Sequence, residues 1–400
     1  MKPSPQSSTH SRRTFFKGAL VGAGAIATAG TVQAQTRTSS ERTPRKQHPI
    51  EWRNKQSGMA YRQLGRTGLM ISEVVQGGSG PMLPETYQRF HYAIERGLNY
   101  FDTSSRYSGG KSEEGLGMLL KEPGVRDKVF VSTKVASYTA TMNAIKDEIL
   151  KSLPSDKQKD LRKKALAMLN EREVRKPGYF YPYFNGHFQS VEQDYLGLVI
   201  KQEYGYKREW KNRIKDAMFE TLNTSLRRLN TDHVDICHCP HGCRLPEELD
   251  DEIIDEFFET VKRQGKIRFT SYSCHTDAPR ILEKAVAQRS RDLAMSTYNI
   301  ANQGSMEGPI ARAHQDGMGF IAMKVAAAVQ TRFTELQPIP EWRIEKLKTT
   351  VPGDYSLPSR AYLWALQNPH ISAVISEMYD HDMMRDNFAI VGKKIDLQPA

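Results

Sequence analysis

Eight short apolar segments, rich in β-branched residues, recur along the chain with helical stretches between them. Strands that are apolar throughout and joined by helices are typical of parallel sheets buried on both faces. Eight such units favour a closed (β/α)8 barrel of the TIM type over an open sheet. The predicted strands are Glu73–Gly77, Asn99–Asp102, Val129–Thr133, Val234–Cys237, Ile267–Ser271, Leu293–Ser296, Gly319–Met323 and Ile371–Ile375.

The segment before the first predicted strand has a different pattern. Tyr61–Ser72 alternates around a turn that contains glycine, which predicts a β-hairpin that closes the floor of the barrel. With this hairpin the predicted barrel domain covers residues 59–400. Because such barrels need about 250 residues, the chain has room for an addition.

One connection between strands is much longer than the others. Val129 and Val234 are 105 positions apart, whereas a βαβ unit needs about 30, so we predict an insertion over residues 138–206. It follows Lys134 at the carboxyl end of a strand, the active-site face of such a barrel. Residues 155–176 are helical in composition, and Tyr179–Phe188 is densely aromatic. The aromatic segment is either a lid that packs on the substrate or a hydrophobic cluster that anchors the insertion.

The amino terminus carries a targeting pattern. Arg12 and Arg13 are followed by two phenylalanines and a lysine, then by the apolar run Gly18–Val32 and a small-x-small site that ends at Ala34. This pattern resembles a twin-arginine (Tat) signal peptide over residues 1–34. It implies recognition by the Tat export machinery, a periplasmic or secreted product, and no stable membrane span after cleavage. Residues 35–58 are polar and are predicted to form a linker.

Composition limits the other classes of partner. The formal net charge is +11, but lysine and arginine are spread without a long basic block, so we predict no nucleic-acid partner. Four cysteines in 400 residues exclude a disulfide scaffold.

A group of polar motifs follows the predicted strands. Asp102 ends the second strand, Tyr107 follows five residues later, and then come Ser112 and the paired Glu113–Glu114. The third strand ends in Lys134. Further motifs lie at Thr224–Asp235, Gly265–Arg268, Tyr298–Asn299 and Asp386–Asn387. Together these motifs resemble the aldo-keto reductase family from about Tyr61 to Gly392, apart from the insertion.

This resemblance implies an oxidoreductase that reduces an aldehyde or ketone, or oxidises the alcohol, with a nicotinamide cofactor. Hydride addition to a carbonyl creates an alkoxide, which needs a proton and a positive field nearby. The resemblance makes Tyr107 the general acid/base. The ammonium of Lys134 is expected to lower the tyrosine pKa, and Asp102 is expected to orient that lysine.

The family also has a histidine at the end of the fourth strand, which orients the carbonyl. The usual spacing from Asp235 ends at Pro240. His241 is the better match if the strand end contains an extra residue or bulge, and His238 is the second candidate.

The cofactor positions implied by the resemblance depart from the usual residues of the family. Met295 replaces a glutamine, Cys274 an asparagine, and Met323–Lys324 an aromatic residue. Glu377 and Met383 replace the lysine and arginine that bind a 2′-phosphate, and a carboxylate there would repel phosphate. NADPH, NADH and the absence of a nicotinamide therefore all remain open. The predicted cofactor-binding residues are Ser273, Cys274, Met295, Met323, Lys324, Ser376, Arg385 and Asn387.

A cysteine cluster supports an alternative function. Cys237, Cys239 and Cys243 lie at one strand end with two histidines, and Cys274 lies at the next. Such residues suit a zinc or copper site, a disulfide or buried thiols. Their spacing matches no metal motif, so no metal site is predicted. The alternative function is a non-catalytic or metal-binding barrel that grips a ligand or partner through the aromatic insertion.

Overall fold

A small sheet precedes the barrel in the computed structural model, which describes residues 45–331 and 336–399. Strand β2 (Tyr61–Gln63) pairs antiparallel with β3 (Leu69–Ser72), so the predicted hairpin is confirmed. Strand β1 (Glu51–Trp52) adds to the other edge of β3 in parallel. The predicted signal peptide at residues 1–34 lies outside the described residues.

The predicted linker at residues 35–58 needs a correction, because its described part, from residue 45 onward, belongs to the folded body. Two of its arginines form ion pairs with the barrel domain, while other polar residues, such as Lys46 and Lys55, are exposed. Arg45 pairs with Asp316 at 3.1 Å, and Arg53 pairs with the buried Asp235 at 3.3 Å. Part of the polar composition of residues 45–58 is therefore explained by ion pairs with the barrel domain.

The hairpin closes the amino-terminal end of the barrel. Leu64, Leu69 and Ile71 are fully buried in one cluster with Tyr100 and other side chains of the barrel interior. The turn of the hairpin passes very close to the barrel wall. A Cβ on Gly65, whose φ is +51°, would lie 2.2 Å from the backbone nitrogen of Gly319. Only glycine allows both this approach and this backbone conformation.

Eight parallel strands form a closed barrel, which confirms the predicted fold class. They are β4 (Val74–Gly77), β5 (Tyr100–Asp102), β6 (Phe130–Lys134), β7 (Val234–His238), β8 (Ile267–Cys274), β9 (Leu293–Thr297), β10 (Gly319–Met323) and β11 (Ala373–Ser376). Neighbours in sequence are neighbours in space, and β11 pairs with β4 to close the ring. The carboxyl ends of all eight strands therefore meet at one end of the barrel.

Helices surround the strands, and none of those described is long and apolar enough to cross a membrane. Helix α8 shows how their sequences specify them. Its residues Ile253, Phe257 and Val261 are buried on one face, and the Asp251 side chain caps the amino terminus by accepting from the backbone N–H of Ile253 at 3.1 Å. The helices are α1 (His91–Glu95), α2 (Lys111–Leu120), α3 (Val125–Lys128), α4 (Ser137–Ser152), α5 (Ser155–Glu171), α6 (His187–Tyr204), α7 (Arg208–Arg228), α8 (Glu252–Arg263), α9 (Ala278–Gln288), α10 (Gln303–Gln315), α11 (Glu341–Thr350), α12 (Leu357–Leu366) and α13 (His381–Phe388).

The long connection between β6 and β7 is helical. Helices α4, α5 and α6 occupy most of residues 138–206, and α7 leads back to β7. The connection is anchored to the segment that follows β7 by ion pairs. Arg172 pairs with Glu247 at 2.5 Å, and Asp194 accepts from Arg244 at 2.5 Å. The insertion is thus held against the end of the barrel where the polar motifs lie.

Candidate active site

A cavity of about 640 Å³ opens at the carboxyl ends of the strands. Its wall contains residues from the ends of β4, β5, β10 and β11, from the segment after β7, and from the insertion. Asp102, Tyr107 and His241 all line it. The parallel barrel brings these residues together because each follows the end of a strand.

Asp102 and Lys134 form a buried ion pair at the ends of β5 and β6. Asp102 lies opposite Ser132 in the strand register, and the Ser132 hydroxyl donates to Asp102 Oδ1 at 2.6 Å. Lys134 Nζ donates to Asp102 Oδ2 and, at 2.9 Å, to the carbonyl oxygen of Thr103. Burial raises the pKa of Asp102 and lowers the pKa of Lys134, and the attraction between the two charges opposes both shifts.

Tyr107 lies in a short turn after β5, with its ring between two members of the predicted set. Lys134 Nζ is 4.8 Å from the centroid of this ring, and the His241 ring lies edge-on at 5.8 Å. The pKa of Tyr107 is raised well above its ordinary value of 10, first by burial and then by the negative charges of Asp102 and Glu377. This direction is opposite to the lowering expected from Lys134, because burial disfavours the charged phenolate and the nearby carboxylates add to that effect.

His241 reaches the cavity through a bulge after β7. His238 pairs with Ser271, and Cys243 bridges to Cys274. The chain therefore advances five residues after β7 while β8 advances three. The two extra residues push the chain outward at His241. His241 Nδ1 lies 3.2 Å from the Ser104 hydroxyl, and burial lowers the pKa of the imidazole to about 3. The ring is therefore neutral at ordinary pH.

The second candidate, His238, occupies a different place. It is fully buried within β7, and its Nε2 lies 3.6 Å from Asp102 Oδ1. It does not line the cavity, and neither ring nitrogen has a hydrogen-bond partner among the described residues. Of the two candidates, His241 is thus the one that lines the cavity beside Tyr107.

The predicted cofactor residues divide into two groups. Met323, Lys324, Ser376 and Asn387 line the cavity, and Asn387 Nδ2 donates to the Ser376 hydroxyl at 3.0 Å. The cavity wall does not include Ser273, Cys274, Met295 or Arg385.

Each residue of the second group has a local reason for its position. Met295 is fully buried in the interior cluster of the barrel. The Ser273 hydroxyl accepts from the backbone N–H of Gly242 at 3.0 Å, and the Cys274 thiol donates to the Thr276 carbonyl oxygen at 3.1 Å. Arg385 is largely exposed and pairs with Asp382 on its own helix.

The structure adds residues whose positions the sequence did not indicate. Glu377 lines the cavity next to Ser376, where its carboxylate accepts hydrogen bonds from Ser79 and, at 3.4 Å, from Tyr379. His275 also lines it. Each of these residues directly follows the last residue of a barrel strand. Polar residues at that position are the sequence feature that could have identified them.

The aromatic segment of the insertion is divided between a buried cluster and the wall of the cavity. Tyr179, Phe180 and Tyr181 are buried, and the Phe180 ring packs on His187 and Phe188 with centroids 4.6 and 4.9 Å away. These residues form an anchoring cluster. Tyr183 instead lines the cavity, where its ring lies 4.4 Å from that of His275.

The cysteine cluster is structural in this fold. Cys237, Cys239, Cys243 and Cys274 are fully buried free thiols, so the disulfide alternative is wrong for this structure. Burial raises the pKa of each thiol, which keeps the sulfur protonated. Within residues 45–331 and 336–399, no group of three or more potential ligands is arranged to hold a metal ion.

Comparison with known proteins shows similarity to one family. Residues 75–181 match the family model described as Aldo/keto reductase family. The aldo-keto reductases AFTS1 and AMT2 of Alternaria alternata are 25% and 27% identical to this chain over 230 residues, which are 55% of the chain and 50% of each relative. The chain thus spans about half the length of these curated relatives.

Solved structures agree on the architecture. The aldo-keto reductase AKR11C1 from Bacillus halodurans, solved in a holo form, superposes with a TM-score of 0.54 at 20% identity and covers 84% of this chain and 92% of its own. At this level of identity the likeness concerns the fold. Taken with the family-model match and the curated relatives, it makes this chain similar to the aldo/keto reductase family in sequence over residues 75–181 and in its barrel fold.

Proposed function

We propose that the protein is an oxidoreductase that reduces an aldehyde or ketone to the alcohol, or catalyses the reverse reaction, with Tyr107 as general acid/base. The observation that carries this proposal is that Tyr107 and His241 line one cavity, while the buried Lys134 ammonium lies behind Tyr107, outside the cavity wall. The Tyr107 ring lies between the Lys134 ammonium at 4.8 Å and the His241 ring at 5.8 Å. This set can protonate and stabilise an alkoxide.

The proton donor is the phenol of Tyr107. Because its pKa is raised, the hydroxyl remains protonated over the ordinary pH range, as a donor to a developing alkoxide must be. The Lys134 ammonium supplies a positive field beside the ring, and Asp102 holds that ammonium in place. In the reverse direction the same oxygen accepts the proton of the alcohol.

His241 orients the carbonyl group. Its imidazole is neutral at ordinary pH, so one ring nitrogen carries a hydrogen and donates to an uncharged carbonyl oxygen. The Ser104 hydroxyl at Nδ1 sets the orientation of the ring. A neutral donor of this kind binds the carbonyl and leaves proton transfer to Tyr107.

We propose a nicotinamide cofactor for the same cavity. When bound, the reduced nicotinamide supplies the hydride that reduces the carbonyl carbon. One feature of the cavity wall fits a dinucleotide. The amino terminus of α12, at Ser356 and Ser359, opens on the cavity and suits a phosphate group.

The same wall favours NADH over NADPH. Glu377 and Asp386 both line it, whereas Arg385 is turned away toward Asp382. Two carboxylates disfavour the additional dianionic phosphate of NADPH. Met383, which stands where the resemblance expects an arginine, adds no charge.

We further propose that the protein is exported through the Tat pathway, on the strength of the Arg12–Arg13 pattern and the small-x-small site at Ala34. Replacing both arginines by lysine is expected to keep the protein in the cytoplasm. Fractionation of cells that express either form measures this outcome, and unchanged export of the variant would contradict the proposal.

The experiment for the enzymatic proposal is the Tyr107→Phe variant. A panel of aldehydes and ketones is offered with NADH and with NADPH, and cofactor dissociation constants are measured by fluorescence. We expect turnover to fall by about 100-fold or more, while cofactor affinity and thermal stability stay near those of the natural protein. Tyr204→Phe, at an exposed tyrosine of α6, is the matched control. Undiminished turnover of Tyr107→Phe would refute the assignment.

A further inference from the structure

Lys324 is held in an uncommon backbone conformation at the edge of the cavity. It directly follows β10 and has a φ of +59°, in the left-handed region that non-glycine residues rarely adopt. Its carbonyl oxygen accepts from Asn299 Nδ2 at 3.3 Å, which helps to maintain this conformation. Such strain costs about 1 kcal/mol or more and is concentrated at functional sites.

The side chain of Lys324 brings a positive charge into the cavity without a partner for it. Its Nζ lies 4.5 Å above the centroid of the Tyr183 ring. Among the described residues, no carboxylate lies within ion-pair distance of Nζ and no acceptor lies within hydrogen-bond distance. Lys134 provides the contrast, since its ammonium is bound by Asp102 and by the Thr103 carbonyl oxygen.

The ammonium lies near the proposed catalytic groups. Tyr183 contacts Lys324 on one side and His275 on the other, and its hydroxyl is close enough to Tyr107 to influence the pKa of that phenol. All four residues line one cavity together with His241. A molecule whose carbonyl lies at Tyr107 can therefore extend along the Tyr183 ring toward Lys324.

Carboxylates also line this cavity, but Asp102 and Glu377 are bound by groups other than Lys324. Asp102 is bound by Lys134 and Ser132, and Glu377 by Ser79 and Tyr379. Glu377, from the strand next to β10, is not within ion-pair distance of the Lys324 ammonium, although its charge partly offsets the lowering of the lysine pKa by burial. Among the described residues, the Lys324 ammonium is thus left without a counter-ion.

From this arrangement we propose that Lys324 binds a carboxylate group of the substrate. The substrates would then be carbonyl compounds that carry a carboxylate, such as oxo acids or carboxylated aldehydes, and Tyr183 would cover the carbon skeleton between the two ends. This inference rests on the proposed reductase function and specifies its substrate class. A partly buried ammonium without a counter-ion gains most from a charged acceptor, because charge-assisted hydrogen bonds are the stronger kind.

The phosphates of the cofactor are the competing source of negative charge. The position of the ammonium above a ring of the insertion, and the availability of the α12 amino terminus for phosphate, favour the substrate. The experiment must nevertheless distinguish the two sources.

The test compares 4-carboxybenzaldehyde with its neutral analogue 4-carbamoylbenzaldehyde. Lys324→Asn removes the charge but tolerates the left-handed backbone, Lys324→Arg retains the charge, and Lys346→Met is a control at a lysine outside the cavity. For Lys324→Asn we expect kcat/KM for the carboxylated aldehyde to fall at least about tenfold. In the same variant, kcat/KM for the carbamoyl compound and the dissociation constant of NADH should change by less than about twofold. Lys324→Arg should recover part of the kcat/KM lost for the carboxylated aldehyde.

Three outcomes would overturn the inference. If Lys324→Asn binds NADH more weakly and loses kcat/KM equally for both aldehydes, Lys324 would be assigned to the cofactor. Equal kinetics of Lys324→Asn and the natural protein would show that the charge is not used. If neither aldehyde is turned over, the proposed function has failed, and calorimetric titration with 4-carboxybenzyl alcohol tests the subsite alone. Loss of that binding in Lys324→Asn would support the subsite, and unchanged binding would overturn it.

Discussion

Lys134 Nζ lies 4.8 Å from the centroid of the Tyr107 ring while it donates hydrogen bonds to Asp102 and to the Thr103 carbonyl oxygen. Two acceptors thus fix the position of the ammonium next to the Tyr107 ring. In the free protein, burial and the nearby carboxylates keep Tyr107 protonated. The ion pair and the phenol form one coupled unit, and changes in it affect stability as well as turnover.

Removing one partner of this ion pair should be more harmful than removing both. Lys134→Met leaves the buried Asp102 carboxylate without its cation, and we expect a loss of about 3–5 kcal/mol in the free energy of unfolding. The double variant Lys134→Met/Asp102→Asn should lose less, because no buried charge remains. Urea unfolding of the three proteins measures the difference. A double variant as unstable as the single one would show that the charge of Asp102 is not the cause.

The activity should depend little on pH between 5 and 8. His241 has a pKa of about 3, so it is neutral throughout this range, and Tyr107 stays protonated because its pKa lies well above 10. The natural protein is expected to show a nearly constant kcat/KM for aldehyde reduction across the interval. An inflection near pH 6.5, as for an unshifted imidazole, that disappears in His241→Asn would show that His241 titrates in this range.

Glu377 should determine the preference between the two nicotinamide dinucleotides. Glu377→Gln can accept from one of the Ser79 and Tyr379 hydroxyls and donate to the oxygen of the other, but it removes a negative charge from the cavity. We expect NADPH to bind about 3- to 10-fold more tightly to this variant, with a smaller change for NADH. Fluorescence titration gives both dissociation constants, with Glu95→Gln on the exposed face of α1 as control. Equal gains for both dinucleotides would contradict a role in discrimination.

Stability should fall as the pH rises through the titration of Glu248. This residue lines a small cavity beside the Arg244–Asp194 pair, and burial raises its pKa from 4.5 to about 7. The folded state therefore binds a proton more tightly than the unfolded state, and the resulting stability is lost between about pH 4.5 and pH 7.

Glu248→Gln removes this dependence. When the pH is raised from 5 to 8, the unfolding free energy of the variant should increase by about 2 kcal/mol relative to that of the natural protein. Urea unfolding at the two pH values measures the gain, and Glu259→Gln on the exposed face of α8 is the control. The same difference between variant and natural protein at both pH values would contradict the raised pKa.

Much of the architecture could be predicted from the sequence because it depends on local patterns. The eight strands, the hairpin at Tyr61–Ser72 and the long connection after Lys134 all follow from apolar runs, alternation and spacing. The bulge that brings His241 to the cavity could not be predicted from the sequence; it was only the condition under which His241 would match the family histidine. It depends on how the residues after β7 pair with β8, and this pairing joins positions about 30 residues apart.

The cofactor positions mark where prediction from the sequence ended. Ser273, Cys274 and Met295 occupy the expected strands, yet their side chains point into the barrel wall or interior. At a strand end the direction of a side chain changes with each residue, so a shift of one position moves it from the cavity to the core. Glu377 and Tyr183 line the cavity although neither was among the predicted cofactor-binding residues; Glu377 was noted only as a substitution, and Tyr183 only as part of the aromatic segment.

The sequence by itself determined the barrel, its closed floor, and the end at which Asp102, Tyr107, Lys134 and His241 meet, because strand periodicity and chain order are enough to specify these features. Only the tertiary structure decided which side chains face the cavity, which carboxylates counter which cations, and that the Lys324 ammonium has no such partner in the part of the chain that the structure describes. The physical reason is that charge pairing and burial depend on contacts between residues distant in the chain, which no local pattern contains.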